Sequence, residues 1–394
     1  MGPTPKVTVA LAVYNQQACI QNSIQKIAQQ TIENMEILCV DDGSTDDSLD
    51  IMEDLARKDH RIRIVAATHA GVSAARNRAI DEAGGEWLIF HDPDDAFANN
   101  DSLATLLSAA EAHDDIQAVG GSFAIRDESS GAIKTDFSDD PLLWGYTLPP
   151  DTDVVEYSDY QFDYGFHRFM FRTEFLRSHD ELRFPAYTRY QDPPFLVAAL
   201  TTAGRFVAVH DVVYLYSLGH QAINWTDAKK LGVLNGIADE LRASGQHRFA
   251  KLHDLAVRRL EKEYAGLYWW MLDENPDILA VAAQLNSFIQ IDLLSEEMRQ
   301  LLTGNDAHAP LTFPLRQQIA NSAKWHEDVT NLQGAVLAER RDKERAFSQL
   351  DDANRRADDA NRRLNNIVRS RSFRIGRLLT ALPRFLQNHI RQER

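Results

Sequence analysis

Asp92, Asp94 and Asp95 crowd the end of an apolar run in the segment IFHDPDDAF, Ile89 to Phe97. Carboxylates this close repel one another unless water, hydrogen-bond donors or a cation offset the charge. Two readings are open. Asp and Pro build ordinary solvated turns, and carboxylate oxygens are also the ligands that Mg²⁺ and Mn²⁺ prefer. A second acidic run, DDGSTDDS from Asp41 to Ser48, follows another apolar stretch. Gly43 permits a tight turn there, and Ser44, Thr45 or Asp46 can cap a following helix. Capping leaves Asp41 and Asp42 unexplained. A carboxylate at a strand end can accept hydrogen bonds from a nucleobase N–H or a ribose hydroxyl. The chain carries no GxGxxG, GxxxxGK[ST] or HExxH pattern. Dinucleotide fingerprints, P-loop NTPases and zinc hydrolases are therefore disfavoured.

The elements that position these groups alternate. Val7 to Val13, Glu36 to Val40, Arg61 to Val65 and Trp87 to Phe90 are short apolar runs that read as buried strands. Between them, Ile20, Ile24, Ile27 and Ala28 share one helical face, Leu49, Met52, Leu55 and Ala56 share another, and Ser73 to Ala83 reads as a third helix. Such alternation predicts an α/β fold with a parallel sheet covered by helices on both faces. In such sheets ligands bind beyond the carboxyl ends of the strands. Tyr14 and Asn15, Asp41 and Asp42, and Asp92 to Asp95 all fall at those ends, so topology alone brings three polar clusters to one edge.

Further along, Leu103, Leu106 and Leu107 mark another helix, and Asp127 to Asp153 reads as a long surface loop rich in Asp, Ser and Pro. Val154 to Tyr216 is a mixed region. Trp225 to Trp325 is mainly helical in pattern and carries an aromatic cluster, Tyr268, Trp269, Trp270 and Met271, suited to core packing, with a ligand face as the lesser reading. Residues 351–364 read DDANRRADDANRRL, with Leu350, Ala353, Ala357, Ala360, Leu364 and Ile367 at heptad spacing. A coiled coil that joins two copies and a lone solvated helix both fit. The arginine-rich tail from Arg369 interleaves Phe373, Ile375, Leu378, Leu379, Leu382, Phe385 and Leu386 with basic residues. It suits either an anionic bilayer surface or the chain's own acidic body.

With 394 residues, 44% hydrophobic and 25% charged, the chain has ample core for two or three domains. A formal net charge of -16 argues against broad nucleic-acid binding. Cys19 and Cys39 both sit in apolar contexts and are expected to be reduced core thiols, as in a cytoplasmic protein. No signal-peptide pattern or membrane-length apolar run is found.

The ordered set VTVALAVYN, CVDDGSTDDS, GVSAARNRAI and GEWLIFHDPDD resembles a family 2 glycosyltransferase of the GT-A fold. The strong resemblance covers roughly the first hundred residues and a weaker one runs on to about Tyr216. It implies that Val13, Tyr14 and Asn15 line a nucleotide-contacting loop, and that one of Asp41 and Asp42 holds the base. It implies that Arg76 lies near the nucleotide and its diphosphate. Asp92 would serve the nucleotide, and Asp94 and Asp95 would hold Mg²⁺ or Mn²⁺ on that diphosphate. YQDPPF, Tyr190 to Phe195, resembles the family's ED-type motif, which implies Asp192 as catalytic base; an N-cap ahead of the next helix is the competing role. In VVYLYSLGHQAINW, Val212 to Trp225, Ser217 stands where arginine is common, and His220 is a further candidate metal ligand. His91 has similar standing.

The expected organisation is a GT-A catalytic domain over residues 1–220, with a nucleotide half (1–120) and an acceptor half (121–220). A helical accessory region (221–330), a helix or coiled coil (331–368) and a basic amphipathic tail (369–394) follow. The expected activity is inverting transfer from a nucleoside diphosphate-sugar, by family habit a UDP-sugar, to a hydroxyl of a cell-surface glycan or lipid-linked precursor. The expected location is cytoplasmic, at the inner membrane face if the tail binds lipid. A nucleotidyltransferase of related fold and a non-catalytic scaffold built on the C-terminal helix are the alternatives.

Overall fold

A computed structural model describes residues 4–150, 153–218, 224–264 and 284–303. These lie within one compact unit, Met1–Ala323, while a second unit, Lys324–Arg394, falls outside the described residues. The heptad segment, the basic tail, the aromatic cluster at 268–271 and His220 therefore lie outside the description.

The first four strands, β1 (Val7–Val13), β2 (Met35–Asp41), β3 (Ile62–Ala66) and β4 (Trp87–Phe90), are parallel neighbours in the order β3-β2-β1-β4. All of β2 and β4 is buried, as continuous apolar runs require in a sheet covered on both sides. Helix α1 (Ile20–Ile27) buries Ile20, Ile24 and Ile27, the face its spacing predicts. Helices α2 (Ser48–Ala56) and α3 (Val72–Glu82) complete the alternation, with α3 packed on β1 and β2.

Beyond β4 the sheet turns mixed. Strand β5 (Ala96–Phe97) and helix α4 (Ser102–Glu111) precede β6 (Ala118–Asp127), β7 (Ile133–Lys134) and β8 (Val154–Glu156). A short helix, α5 (Tyr157–Tyr160), leads to β9 (Phe169–Arg172), α6 (Thr173–Arg177), α7 (Asp192–Ala203) and β10 (Arg205–Leu218). Strand β9 runs antiparallel between β4 and β6, and β10 lies parallel to β6. The result is a mixed α/β sheet of ten strands. The segment expected as a surface loop, Asp127 to Asp153, is not one throughout. It contains β7, and it folds Phe137, Tyr146 and Leu148 into the core, where Tyr146 stacks on Phe123. Its polar surface residues mask three apolar anchors. Cys39 is buried as expected, but Cys19 is half-exposed at the start of α1, its thiol directed to Gln16 Oε1 at 3.1 Å.

A second core joins α8 (Asp227–His247), α9 (Ala250–Arg258) and α10 (Glu296–Thr303) through Val233, Leu234, Ile237, Leu241, Val257, Leu260 and Met298. One buried ion pair ties it to the sheet side. Arg259, in a π-helical turn after α9, donates from Nε and Nη2 to the two oxygens of Asp163 at 2.6 and 2.7 Å, and from Nη2 to the Leu142 carbonyl at 2.9 Å. Both side chains are fully buried, and the guanidinium lies 3.4 Å from the Tyr164 ring centre. Removing Asp163 leaves the buried Arg259 charge with the partly exposed Glu263, 3.2 Å from Nη1, and removing Arg259 leaves Asp163 buried without its cation. Asp163→Asn should therefore cost about 3–5 kcal/mol of stability, and the double change Asp163→Leu with Arg259→Met should cost less. Urea denaturation of the three proteins checks the order; a single variant no worse than the double would contradict it.

Candidate active site

The parallel strands end in a row. Val13 pairs with Asp41, and the ladder runs on where Asp42 N–H donates to the Val13 carbonyl at 2.8 Å and His91 N–H to the Ala10 carbonyl at 2.9 Å. Past these bonds the chain leaves the sheet, and the polar clusters predicted for this edge fan out from it.

Asp41 and Asp42 are both buried. Asp41 accepts from the Ser44 N–H at 3.3 Å, bracing the turn at Gly43. Asp42 accepts from the Ala70 and Gly71 N–H groups at 2.8 and 2.9 Å, and His69 Nδ1 stands 2.8 Å from its Oδ2. His69 stacks on Tyr14 with ring centres 4.1 Å apart, and Tyr14 stays 40% exposed. Asn15 has φ +53 and accepts the Thr45 N–H at 2.8 Å, which locks the end of β1 to the DDGST turn. The result is an exposed aromatic face beside a fixed carboxylate. Asp42 Oδ1, with the Ala70 N–H as its donor, still has lone-pair capacity for a further one.

The second cluster centres on Arg76. Its guanidinium is buried over the Phe166 ring at 4.6 Å. It donates from Nη2 to Asp92 Oδ1 at 2.8 Å and from Nη1 to Asp192 Oδ1 at 2.6 Å. One planar fork thus sets the spacing of two carboxylates that are a hundred residues apart in sequence, a task for which arginine is shaped. Burial disfavours the guanidinium's charge, but the two carboxylates more than offset it and push its pKa above the usual arginine value. The other oxygen of Asp92 meets His167 Nε2 at 2.9 Å. Burial works against charge on this pair as well. The contact nevertheless holds His167 above its ordinary value, while His167 and Arg76 together hold Asp92 well below the carboxylate range.

Asp95 is different. Its donors are neutral: the Tyr214 hydroxyl at 2.9 Å and the Ser217 N–H at 2.8 Å. Burial, with Asp92 and then Asp94 adding to it, pushes its carboxyl up to about 7. Oxygens of Asp92, Asp94 and Asp95 lie within 4.8 Å of one another. An all-oxygen donor set of gathered carboxylates is what a hard divalent cation prefers, and such a cation would relieve their repulsion. The residues fit Mg²⁺ or Mn²⁺. His91 is not among the ligand atoms that gather there; its buried ring packs on Phe97 and Tyr214.

Asp192 is the first residue of α7, after Gln191 as N-cap. The competing capping role is not seen: no side chain caps this helix, and Asp192 Oδ1 is turned to Arg76. The two prolines sit in the first turn, where a missing N–H costs no helical bond. The structure therefore brings Val13, Tyr14, Asn15, Asp41 and Asp42 to one end of this edge and Arg76, Asp92, Asp94, Asp95 and Asp192 to the other. His69, His167 and Tyr214 belong to the same constellation and were not singled out from sequence. No local pattern marks them, because their partners are Asp42, Asp92 and Asp95 on other elements.

Similarity searches agree with this geometry. The profile "Glycosyl transferase family 2" matches residues 8–179. An uncharacterized glycosyltransferase of Bacillus subtilis, EpsJ, is 27% identical over 219 residues, covering 54% of this chain and 61% of that one. The poly(ribitol-phosphate) beta-glucosyltransferase of Bacillus spizizenii is 27% identical over 262 residues, 64% of this chain and 39% of that one. The chain thus spans less than two-thirds of either relative. Among solved structures, S. aureus TarS 1–349 in complex with UDP-GlcNAc superposes with a TM-score of 0.59 at 17% identity, over 82% of this chain and 92% of that one. That likeness establishes the GT-A-type fold. Over residues 8–179, which carry the acidic sheet edge, the chain matches the model of glycosyl transferase family 2.

Proposed function

We propose that this protein is an inverting glycosyltransferase that moves a sugar from a nucleoside diphosphate-sugar to a hydroxyl of a cell-surface glycan or a lipid-linked precursor. The observation that carries the reading is the Arg76 fork, which couples the acidic cluster to Asp192 within one site. UDP is the favoured nucleotide, because the fold neighbour was crystallised with UDP-GlcNAc. The relative that acts on poly(ribitol-phosphate) supports a polymeric cell-surface acceptor.

The base of the nucleotide stacks on the exposed Tyr14 face beside His69, with Asp42 or Asp41 accepting its N–H and Val13 and Asn15 shaping the loop beneath it. Asp92 faces the ribose and diphosphate, held by Arg76 and His167. Asp94 and Asp95, with Asp92 beside them, would hold Mg²⁺ or Mn²⁺, which when bound would supply positive charge to the leaving diphosphate. Asp192 takes the proton of the acceptor hydroxyl. As that oxygen bonds to the anomeric carbon, the bond from that carbon to the phosphate oxygen breaks, and its electron pair leaves with the nucleoside diphosphate. Attack opposite the leaving group inverts the anomeric centre. Arg76 holds Asp192 aimed, so the base and the leaving-group site keep one spacing. The described residues contain no helix long and apolar enough to cross a membrane. Membrane contact through the basic tail is part of the proposal, as is pairing of two copies through the heptad segment.

Two outcomes test the assignments. Asp192→Asn keeps the shape but cannot take a proton. UDP release from UDP-sugars in the presence of glycan acceptors should fall by about 10²–10⁴-fold while donor binding persists; transfer at the native rate would remove Asp192 from the base role. Asp94 is half-exposed, so Asp94→Asn should leave the melting temperature nearly unchanged. Calorimetry should then show Mn²⁺-dependent UDP binding weakened at least tenfold, about 1.4 kcal/mol. Equal affinity with and without Mn²⁺ in both proteins would count against the metal site.

A further inference from the structure

The chain that delivers Asp192 is stretched between the two cores. Tyr190 is buried in the helical core, and Phe195, five residues on, is buried in the sheet core. Asp192 sits at the crossing. Tyr190 has φ +64, a left-handed backbone that a bulky L-residue rarely adopts and that persists only where its surroundings impose it.

What imposes it is one face of α8. Gly232 and Gly236 lie one turn apart, and a Cβ on either would collide with the strained segment. At Gly232 it would stand 2.6 Å from the Arg189 carbonyl oxygen; at Gly236 it would stand 2.6 Å from both the Tyr190 carbonyl oxygen and Tyr190 Cδ1. The same face holds the segment by its side chains. The Tyr187 hydroxyl donates to Asp239 at 2.7 Å, and the Tyr190 hydroxyl reaches Glu240 at 3.4 Å. Tyr164 and Tyr264 close on the Tyr190 ring edge-to-face, with centres 5.8 and 5.6 Å away. Positions 232, 236, 239 and 240 follow helical i, i+4, i+7, i+8 spacing, so the contact is a single stripe. A glycine inside a helix normally costs about 1 kcal/mol relative to alanine. Two of them here bring the helix axis close to the backbone of residues 189–190.

We infer that the Gly232/Gly236 notch of α8, with Tyr190 seated in it, is a positioning device that fixes Asp192 for proton abstraction, so that the helical region is a working part of the catalytic site. The inference rests on Asp192 being the base. Gly232, Gly236 and Tyr190 are positioning residues that act through the backbone carrying Asp192.

The test uses the full chain and three proteins: wild type, Gly236→Ala and Gly245→Ala. Gly245 is on the same helix, but its added Cβ would meet only the end of the Gln290 side chain, away from residues 187–192. Both changes raise helix propensity alike. Hydrogen exchange should speed up across 188–192 in Gly236→Ala alone, with strands 7–13 and 87–90 unchanged. The rate of UDP release at saturating UDP-sugar should fall at least tenfold in Gly236→Ala and stay within twofold in Gly245→Ala. UDP affinity with Mn²⁺ should stay within twofold in both. Unchanged exchange at 188–192 in Gly236→Ala, or changed exchange with a native rate, would overturn the inference. So would equal loss of rate in both variants. If Gly236→Ala does not fold, Tyr187→Phe, which removes only the hydroxyl bond to Asp239, takes its place with the same criteria and a smaller, threefold, loss of rate. If wild type releases no UDP from any UDP-sugar while exchange responds as stated, the glycosyltransferase reading fails and the clamp on residues 188–192 stands.

Discussion

The site depends on the Arg76 guanidinium. It is buried, stacked on Phe166, and bonded at once to Asp92 at the end of β4 and Asp192 at the start of α7. A lysine ammonium could not span the two carboxylates in one plane. Neither carboxylate is fixed by its own element alone: Asp92 lies in a turn and Asp192 in the first turn of a helix led by prolines. The fork makes them one rigid unit. His167 then takes the second oxygen of Asp92, so that residue is held from two sides. Asp95 instead takes neutral donors, the Tyr214 hydroxyl and the Ser217 N–H, and burial first, then Asp92 and Asp94, raise its carboxyl. With Arg76 and His167 on one side of the cluster and gathered carboxylate oxygens on the other, a diphosphate and a divalent ion would each find partners here.

The rest of the fold serves that edge. Parallel strands β1, β2 and β4 end together, so the clusters after each are neighbours without long loops. Antiparallel β9 is wedged beside β4 and brings in the segment carrying His167 and Arg168. Strand β10 crosses behind the acidic turn and lends it Tyr214 and the Ser217 backbone. The helical core adds the clamp on Tyr190. Its own attachment, the Arg259–Asp163 pair, is buried and hydrogen-bonded on both partners, which fixes where helices and sheet meet.

Sequence alone carried the first half of this well. The alternating apolar runs are continuous because those strands are buried on both faces, and this one cause makes strands, order and sheet edge readable. The Asp41–Asp42 and Asp92–Asp95 runs were conspicuous because charge at the end of a buried strand needs a reason. Asp192 came from motif resemblance, and its contact with Arg76 over 116 positions has no signature in either segment. His69, His167 and Tyr214 were missed for the same reason: each is an ordinary aromatic residue locally and gains its role from a distant carboxylate. Tyr190 is invisible as a strained residue until φ is seen. The 127–153 segment was misread because polar composition reports the exposed side and hides Phe137, Tyr146 and Leu148. Cys19 was misplaced because its apolar neighbours Ile20 and Ile24 face the core while Cys19 starts the helix.

The central claim is that the acidic edge holds a cation that in turn holds a nucleoside diphosphate. Thermal unfolding of the full chain with UDP, GDP, dTDP and CDP, each with and without Mn²⁺, addresses it directly. A ligand that binds only the folded state stabilises by mass action, about 2.7 kcal/mol at a hundredfold excess over its dissociation constant. A melting temperature that rises with UDP only when Mn²⁺ is present is the expected result. No rise with any nucleotide, or the same rise without the metal, would contradict it.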